Sequence, residues 1–241
     1  MIEYYEYFED DTVSCRCDVE LDLYDELGET ERQTLLWLFI KEDNRLSPSF
    51  QSFFSALNEN LTQQLDAVFA GTLAKEGWIE CYFYAYDAKK FVNIVSDLLK
   101  THGPYTHEMG SYKDTKWKFY TENLYPEPFQ MLLIQNRHTC DALREEGDDL
   151  SIAREVEHYL FFQTKSSLQR AIEKMELDGY AFKEHVEDKE SDYYYGAVMT
   201  KTHPATFEEI NLITEFLFDI ALNEHGLYEG WSTTLGLNKN D

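Results

Sequence analysis

The side chains able to do chemistry in this chain are seven histidines, four cysteines and a surplus of carboxylates. The histidines are scattered without the spacing of a metal-binding helix or finger. One placement brings ligands together: His158 beside His185 on a neighbouring strand, with Glu184 or Glu187 as a third donor. A hydrogen-bonded structural histidine is the simpler reading of His158. Glu145-Glu146 and Asp148-Asp149 would make an acid and base pair if one member were buried. Among 46 acidic residues, however, such neighbours arise by chance and are usually solvated. Arg154 follows them closely enough to clamp the acidic turn, a structural role. Cys15 and Cys17 share one face of a strand, but none of the cysteines forms a CxxC pair, and reduced thiols are expected. Nucleotide-binding GxxxxGK[ST] and GxGxxG loops, the GxSxG elbow, HExxH and the EF-hand loop are all missing from the sequence. No catalytic, cofactor-binding or metal-ligating residue is therefore assigned, and no cofactor is expected.

Charge narrows the partners. The 241 residues carry 46 Asp+Glu against 21 Lys+Arg, a formal net charge of −25. Nucleic-acid backbones and anionic membrane surfaces are both held by basic residues, so this chain would repel them. A basic protein segment or a metal ion is what the charge leaves open. Disorder is excluded by a hydrophobic fraction of 43% and an aromatic fraction of 15%. The first residues are acidic where a signal peptide is basic, and the longest strongly apolar run, Leu35 to Ile40, is far too short to span a bilayer. A cytoplasmic protein of one or two domains is expected.

The elements that must position these residues follow from periodicity. Residues 1–31 hold 12 acidic side chains and one basic, Arg16. Within them Val13, Cys15, Cys17, Val19, Leu21 and Leu23 alternate with polar residues, predicting an edge strand that its charge keeps from pairing with other chains. Leu35–Ile40 reads as a buried strand. Ser47-Pro48 opens a helix whose apolar stripe, from Phe50 to Phe69, carries it to Gly71. A strand at Ile79–Tyr86, a helix capped by Asp87 and two strands at Tyr105–Tyr112 and Lys116–Glu122 come next. Pro126 and Pro128 then open a helix to about Glu145, with Phe129, Leu132, Leu133, Cys140 and Leu143 inward.

Offset by 77 residues, the same order recurs. Val156–Phe162 is a strand, Thr164 caps a helix, Tyr180–Val186 and Tyr193–Thr200 form a hairpin, Thr206 caps a second helix, and Tyr228–Leu235 closes the unit. This β-α-β-β-α-β order is ferredoxin-like. The first unit lacks its own closing strand, which Leu35–Ile40 is positioned to supply. The expected fold is α+β, with two tandem ferredoxin-like domains built on antiparallel sheets, residues 1–145 and 146–241.

Helices in such a fold cover one sheet face. Ile79, Cys81, Phe83 and Ala85 should face them in one domain, and Val156, His158, Leu160 and Phe162 in the other. Tyr82, Tyr84 and Tyr86, and Tyr159 and Phe161, then line the opposite faces. Apolar faces of this kind mark interfaces. The two faces packing together, or against a second copy of the chain, is the simplest cover; an outside partner is the next. Near the C-terminus, Gly226 and Gly230 frame Tyr228 and Trp231, with the tryptophan either packing the last strand or anchoring a partner. Tyr82, Tyr84, Tyr159, Phe161, Tyr228 and Trp231 are the candidate partner-binding residues.

Two stretches carry a family resemblance. Gly147-Asp148-Asp149-Leu150-Ser151, Arg154-Glu155-Val156-Glu157-His158-Tyr159, Phe162 and Asp178-Gly179-Tyr180 resemble the opening of the RraB family, regulators of ribonuclease E. Tyr228-Glu229-Gly230-Trp231-Ser232-Thr233 resembles that family's closing motif, with Glu in place of its Asp, and His203-Pro204 with the following helix sits where its last helix belongs. The resemblance spans about residues 147–235. Asp114-Thr115-Lys116-Trp117-Lys118-Phe119-Tyr120 and Leu124-Tyr125-Pro126 are similar to a bacterial family of unknown function often fused ahead of RraB-like domains. The resemblance implies a ferredoxin-like fold and a non-catalytic bacterial regulator that restrains RNA decay by binding the ribonuclease and not its RNA; the net charge of −25 makes a basic segment of that ribonuclease the expected partner. An enzyme or small-ligand binder with a site between the two domains is the alternative.

Overall fold

Strand alternation and helical stripes resolve into two antiparallel sheets, each with helices on one face. The computed structural model describes residues 1–9 and 12–236, so Asp10 and Asp11 of the acidic run lie outside the described residues. The chain divides into two compact units, Met1–Pro126 and Glu127–Asp241. Among the described residues no helix is long and apolar enough to cross a membrane.

Unit 1 contains β1 (Ile2–Glu9), β2 (Val13–Glu20), β3 (Thr34–Lys41), α1 (Pro48–Leu65), β4 (Val68–Lys75), β5 (Trp78–Ala85), α2 (Phe91–His102) and β6 (His107–Lys113). The sheet order is β1-β2-β4-β5-β3-β6. Its last four strands, with α1 and α2, make a complete ferredoxin-like β-α-β-β-α-β unit that starts at β3. The β1–β2 hairpin extends it at the β4 edge. Ser47 caps α1 by accepting from the Phe50 N–H, with Pro48 in the first turn. Leu36, Leu38, Ile40, Ile79, Cys81, Phe83 and Ala85 pack against Phe53, Leu57 and Leu61 of α1 and Phe91, Ile94 and Val95 of α2. Each of the leucine, isoleucine, valine and phenylalanine side chains contributes about 2 kcal/mol by leaving water.

Several expectations fail here. The strand of the acidic segment, β2, lies between β1 and β4 and is not an edge, and α2 begins after Lys90 with no side-chain cap from Asp87. α1 ends at Leu65, because Asp66 takes a left-handed conformation (φ 49°), and Val68 and Phe69 begin β4. The stripe that seemed to carry the helix to Gly71 is therefore two elements. Lys116–Glu122 is also not a strand; the chain there makes a short helical turn at Tyr120–Leu124. The 77-residue offset fails with it. The strand equivalent to β7 is β3, not Ile79–Tyr86.

Unit 2 contains α3 (Pro128–Glu145), β7 (Arg154–Phe162), α4 (Lys165–Leu177), β8 (Ala181–Glu187), β9 (Tyr195–His203), α5 (Phe207–Asn223) and β10 (Gly226–Thr233), with sheet order β10-β7-β9-β8. Thr164 and Thr206 cap α4 and α5 as expected. α3 packs on α5 through Phe129 and Phe218, whose ring centroids are 5.4 Å apart. The units thus meet at Pro126/Glu127 and not at 145/146, since α3 is the added helix of unit 2 and not the last helix of unit 1.

Unit 1 covers its second sheet face with its own chain. Asp114 is buried; its carboxylate accepts from the Tyr84 hydroxyl (2.6 Å) and the N–H groups of Lys118 and Phe119 (2.8 Å each). That capture turns the chain back over the sheet. Trp117, held at φ 52°, stacks on Tyr84 at 4.2 Å and 11°, and its indole N–H donates to the Arg32 carbonyl at 2.6 Å. Phe119 packs on Tyr82 at 4.4 Å. The Tyr5 hydroxyl and the Cys17 thiol both donate to the Leu124 carbonyl, and the Tyr120 hydroxyl donates to the Glu20 carbonyl. Residues 114–125 are thus a plug on the aromatic face. Asp114→Ala should lower stability by roughly 3 kcal/mol, since a buried hydroxyl and two N–H groups lose a charged acceptor. Urea unfolding should show a lowered midpoint at unchanged slope; an unmoved midpoint would mean that the plug is held elsewhere.

Candidate protein-binding face

The plug decides the fate of two candidate residues. Tyr82 and Tyr84 are buried beneath Phe119 and Trp117, and burial raises both phenol pKa values. They are core residues of unit 1 and have no surface to offer a partner. Tyr86, at the strand end, is exposed beside the Arg32 guanidinium.

Tyr228 and Trp231 are also drawn inward. Three residues apart in a regular strand, they would point to opposite faces. A bulge between Tyr228 and Gly230 adds one residue, so Tyr228 pairs with Leu160 and Trp231 with His158, both on the helix side. Gly230 makes this backbone at φ 123°, a conformation side chains other than glycine rarely adopt. Tyr228 is consequently buried in the core, while Trp231 is half-buried against Cys140, Leu150 and Ile210.

These two residues belong to a polar chain that the sequence did not disclose. The Trp231 indole donates to Asn136 Oδ1 (2.9 Å), and Asn136 Nδ2 donates to Thr214 and to Asn211, each at 2.9 Å. Thr214 in turn bonds the Tyr228 hydroxyl. His203 Nδ1 must donate to the Pro204 carbonyl (2.7 Å), which leaves its Nε2 to accept from His158 Nε2 at 3.2 Å. His158 Nδ1 then accepts from Tyr228 at 2.9 Å. With both imidazoles neutral each ring supplies one donor and one acceptor to this chain, whereas protonating both would set two N–H donors against each other at the His158–His203 contact. Burial, then the neighbouring His203, depresses His158 to about 3, and burial lowers His203 as well. His158 therefore meets His203 and not His185, because β9 lies between β7 and β8. Among the described residues, no group of three or more His, Cys, Asp or Glu is placed to hold a metal. The signal for Asn136 was faint: one amide on the inward stripe of a helix.

The acidic turn is a structural joint. Arg154 pairs with the fully buried Asp148 carboxylate at 3.0 Å and donates to the Asp149 and Ile152 carbonyls, while the Gly236 N–H donates to Asp148. Glu145 and Glu146 are solvent-exposed at the end of α3. The cysteine thiols are buried, and burial pushes Cys17 up to about 12 and Cys140 to about 11.

Of the six candidate residues, Tyr159 and Phe161 are the two that lie on a sheet face and are neither plugged nor turned toward the helices. Both lie on the face of the unit 2 sheet away from the helices, and both are half-buried. The Phe161 ring lies against Gly196, where an added Cβ would come within 2.6 Å of it and 2.7 Å of Val186. Leu227, opposite Phe161 on β10, is 40% exposed. The Tyr159 hydroxyl bonds Glu157 and Ser232, and Lys183 pairs with Glu157 at the rim. The result is a shallow apolar patch with a polar border, on a unit with 23 acidic and 10 basic side chains.

Two family models match the chain. Residues 133–233 match the family described as regulator of ribonuclease activity B, RraB, and residues 33–125 match a family of unknown function, DUF695. The first match reaches back beyond residue 147 into α3, and the gap between the two contains the structural boundary at Pro126/Glu127. No curated protein is matched.

The histidine pair sets a pH dependence. A histidine depressed in the folded state stabilises fully above its unfolded value, 6.5, and that stability is lost as pH falls toward about 3. Unit 2 should lose about 2 kcal/mol between pH 7 and pH 5 from His158, with His203 adding in the same direction. Urea unfolding at both pH values measures the loss, and the imidazole NMR shift should keep His158 neutral at pH 5; titration near its ordinary value would refute the buried relay.

Proposed function

We propose that this chain, RraB-like over residues 133–233, is a non-catalytic bacterial regulator that acts in the cytoplasm by binding a ribonuclease or an RNA-decay complex. The observation that carries this reading is the family match falling on a unit with an uncovered apolar sheet face at Tyr159 and Phe161. Tyrosine and phenylalanine are strong interface anchors because they bury large area at little entropic cost. The surrounding acids favour a basic protein segment through faster, salt-sensitive association. The same charge repels RNA, so a ribonuclease would be met through its protein surface and not through its substrate.

Pull-down with the full tagged chain tests this. At low salt it should recover a ribonuclease or a protein bound to one, with recovery falling as salt shortens the electrostatic range. Tyr159→Ala with Phe161→Ala should reduce capture about tenfold or more, with the fold intact by circular dichroism at the temperature of the assay. Recovery of no RNA-decay protein, or capture indifferent to the double variant, would reject the proposal. A dimer in light scattering that the double variant dissolves would instead assign the face to a second copy of the chain.

A further inference from the structure

The plug of unit 1 stops short of the whole face it covers. Beyond Tyr82, three aromatic side chains of the same face, Trp37, Phe39 and Trp78, are only half-buried. The strand registers set them among carboxylates. Phe39 on β3 lies opposite Glu80 on β5 and opposite Glu108 on β6, so one row of the sheet reads Glu80–Phe39–Glu108. Side chains directly opposite on one face stand about 5 Å apart. The Glu80 carboxylate is held in place by the Tyr82 hydroxyl, which donates to one of its oxygens. The Trp37 and Phe39 ring centroids are 4.7 Å apart at 40°, and the indole of Trp37 lies down on Gly110, where any Cβ would come within 2.5 Å of it. A cleft of about 310 Å³ opens over Phe39 and Trp78, lined by Glu76, Glu80 and Glu108 with Lys75 as the cation in its wall. The next row sets Trp78 between Lys75 and Lys41, which bounds the negative potential on that side.

An aromatic floor with carboxylate walls is complementary to one side chain in particular. A guanidinium is planar, weakly hydrated and always charged; it can stack on a ring while its edge donates to a carboxylate. An ammonium keeps its water and offers no plane to stack. We propose that the cluster of Trp37, Phe39 and Trp78 is a docking surface for an arginine-bearing segment of a partner protein, its guanidinium lying on Phe39 between Glu80 and Glu108. The surface belongs to unit 1 and does not depend on what unit 2 binds.

The test uses the full chain and two peptides, four Gly-Arg repeats and four Gly-Lys repeats, followed by tryptophan fluorescence and calorimetry at low salt. The arginine peptide should bind about fivefold tighter than the lysine peptide. Glu80→Gln with Glu108→Gln should weaken it about tenfold, and Phe39→Leu should erase the preference for arginine. Glu145→Gln with Glu146→Gln, two exposed acids of unit 2, should leave the affinity unchanged. Equal affinity for the two peptides, or equal weakening by both neutralising pairs, would reduce the effect to a diffuse field and overturn the proposal. Equal binding of spermidine in competition would do so as well, since a small flexible cation needs no stacking site.

Discussion

Both units are governed by the same constraint: their helices cover only one face of an antiparallel sheet, and the other face must be dealt with by different means. Unit 1 has put large aromatics on that face, Tyr82 and Tyr84 among them, and so needs a lid. Residues 114–125 supply it, at the cost of a tryptophan in the left-handed region and a buried carboxylate. A non-glycine residue at positive φ costs about 1–3 kcal/mol, offset by the stack on Tyr84 and by the three donors that Asp114 satisfies. Unit 2 takes the thriftier course. It thins its second face with Gly196, lets Phe161 lie flat upon it, and ties the Tyr159 hydroxyl to neighbours on the sheet. The result needs no lid, and both rings stay half-buried.

What was legible in the sequence divides along the same line. Elements whose signals are local were readable: the Ser47-Pro48 start, the Thr164 and Thr206 caps, the Leu35–Ile40 strand and the helix-facing alternation of Ile79 to Ala85. The plug was not, because Trp117 and Phe119 alternate with lysines as a strand would. What bends them is Asp114 meeting Tyr84, 30 positions away in sequence, which no periodicity reports. Misplacing that segment also made α3 look like the last helix of unit 1 and produced the false 77-residue repeat. α1 ran on into β4 for a similar reason: Leu65, Val68 and Phe69 continue a helical stripe, and only the left-handed Asp66 breaks it.

The closing motif shows that the residues marking a family resemblance and the residues able to bind a partner need not coincide. Tyr228 and Trp231 looked like interface anchors. The bulge at Gly230 turns both inward, where they wire β10 through Asn136 and Thr214 to α3 and α5, and through His158 and His203 to the end of β9. Each buried polar group in that relay is affordable only because the next one satisfies it. A motif with this task specifies a fold and leaves the surface free to differ. Tyr159 and Phe161 lie on the other side of the same strands, so the motif fixes their surroundings from within the core.

The charge distribution extends this separation of scaffold and surface. Unit 1 holds 23 acidic and 11 basic side chains, but residues 32–126 hold only 11 and 10 of them. The ferredoxin-like core that the unknown-function family model covers is therefore close to neutral, and the acid sits in the β1–β2 hairpin and the turn after it, outside the match. Charge there does two things at once. It keeps the exposed edge of β1 from recruiting other strands. It also adds a long-range negative field to a core that would otherwise have little. Removing the hairpin would leave the aromatic cluster of Trp37, Phe39 and Trp78 with only its local carboxylates, so attraction at a distance and recognition at contact are carried by different parts of the unit.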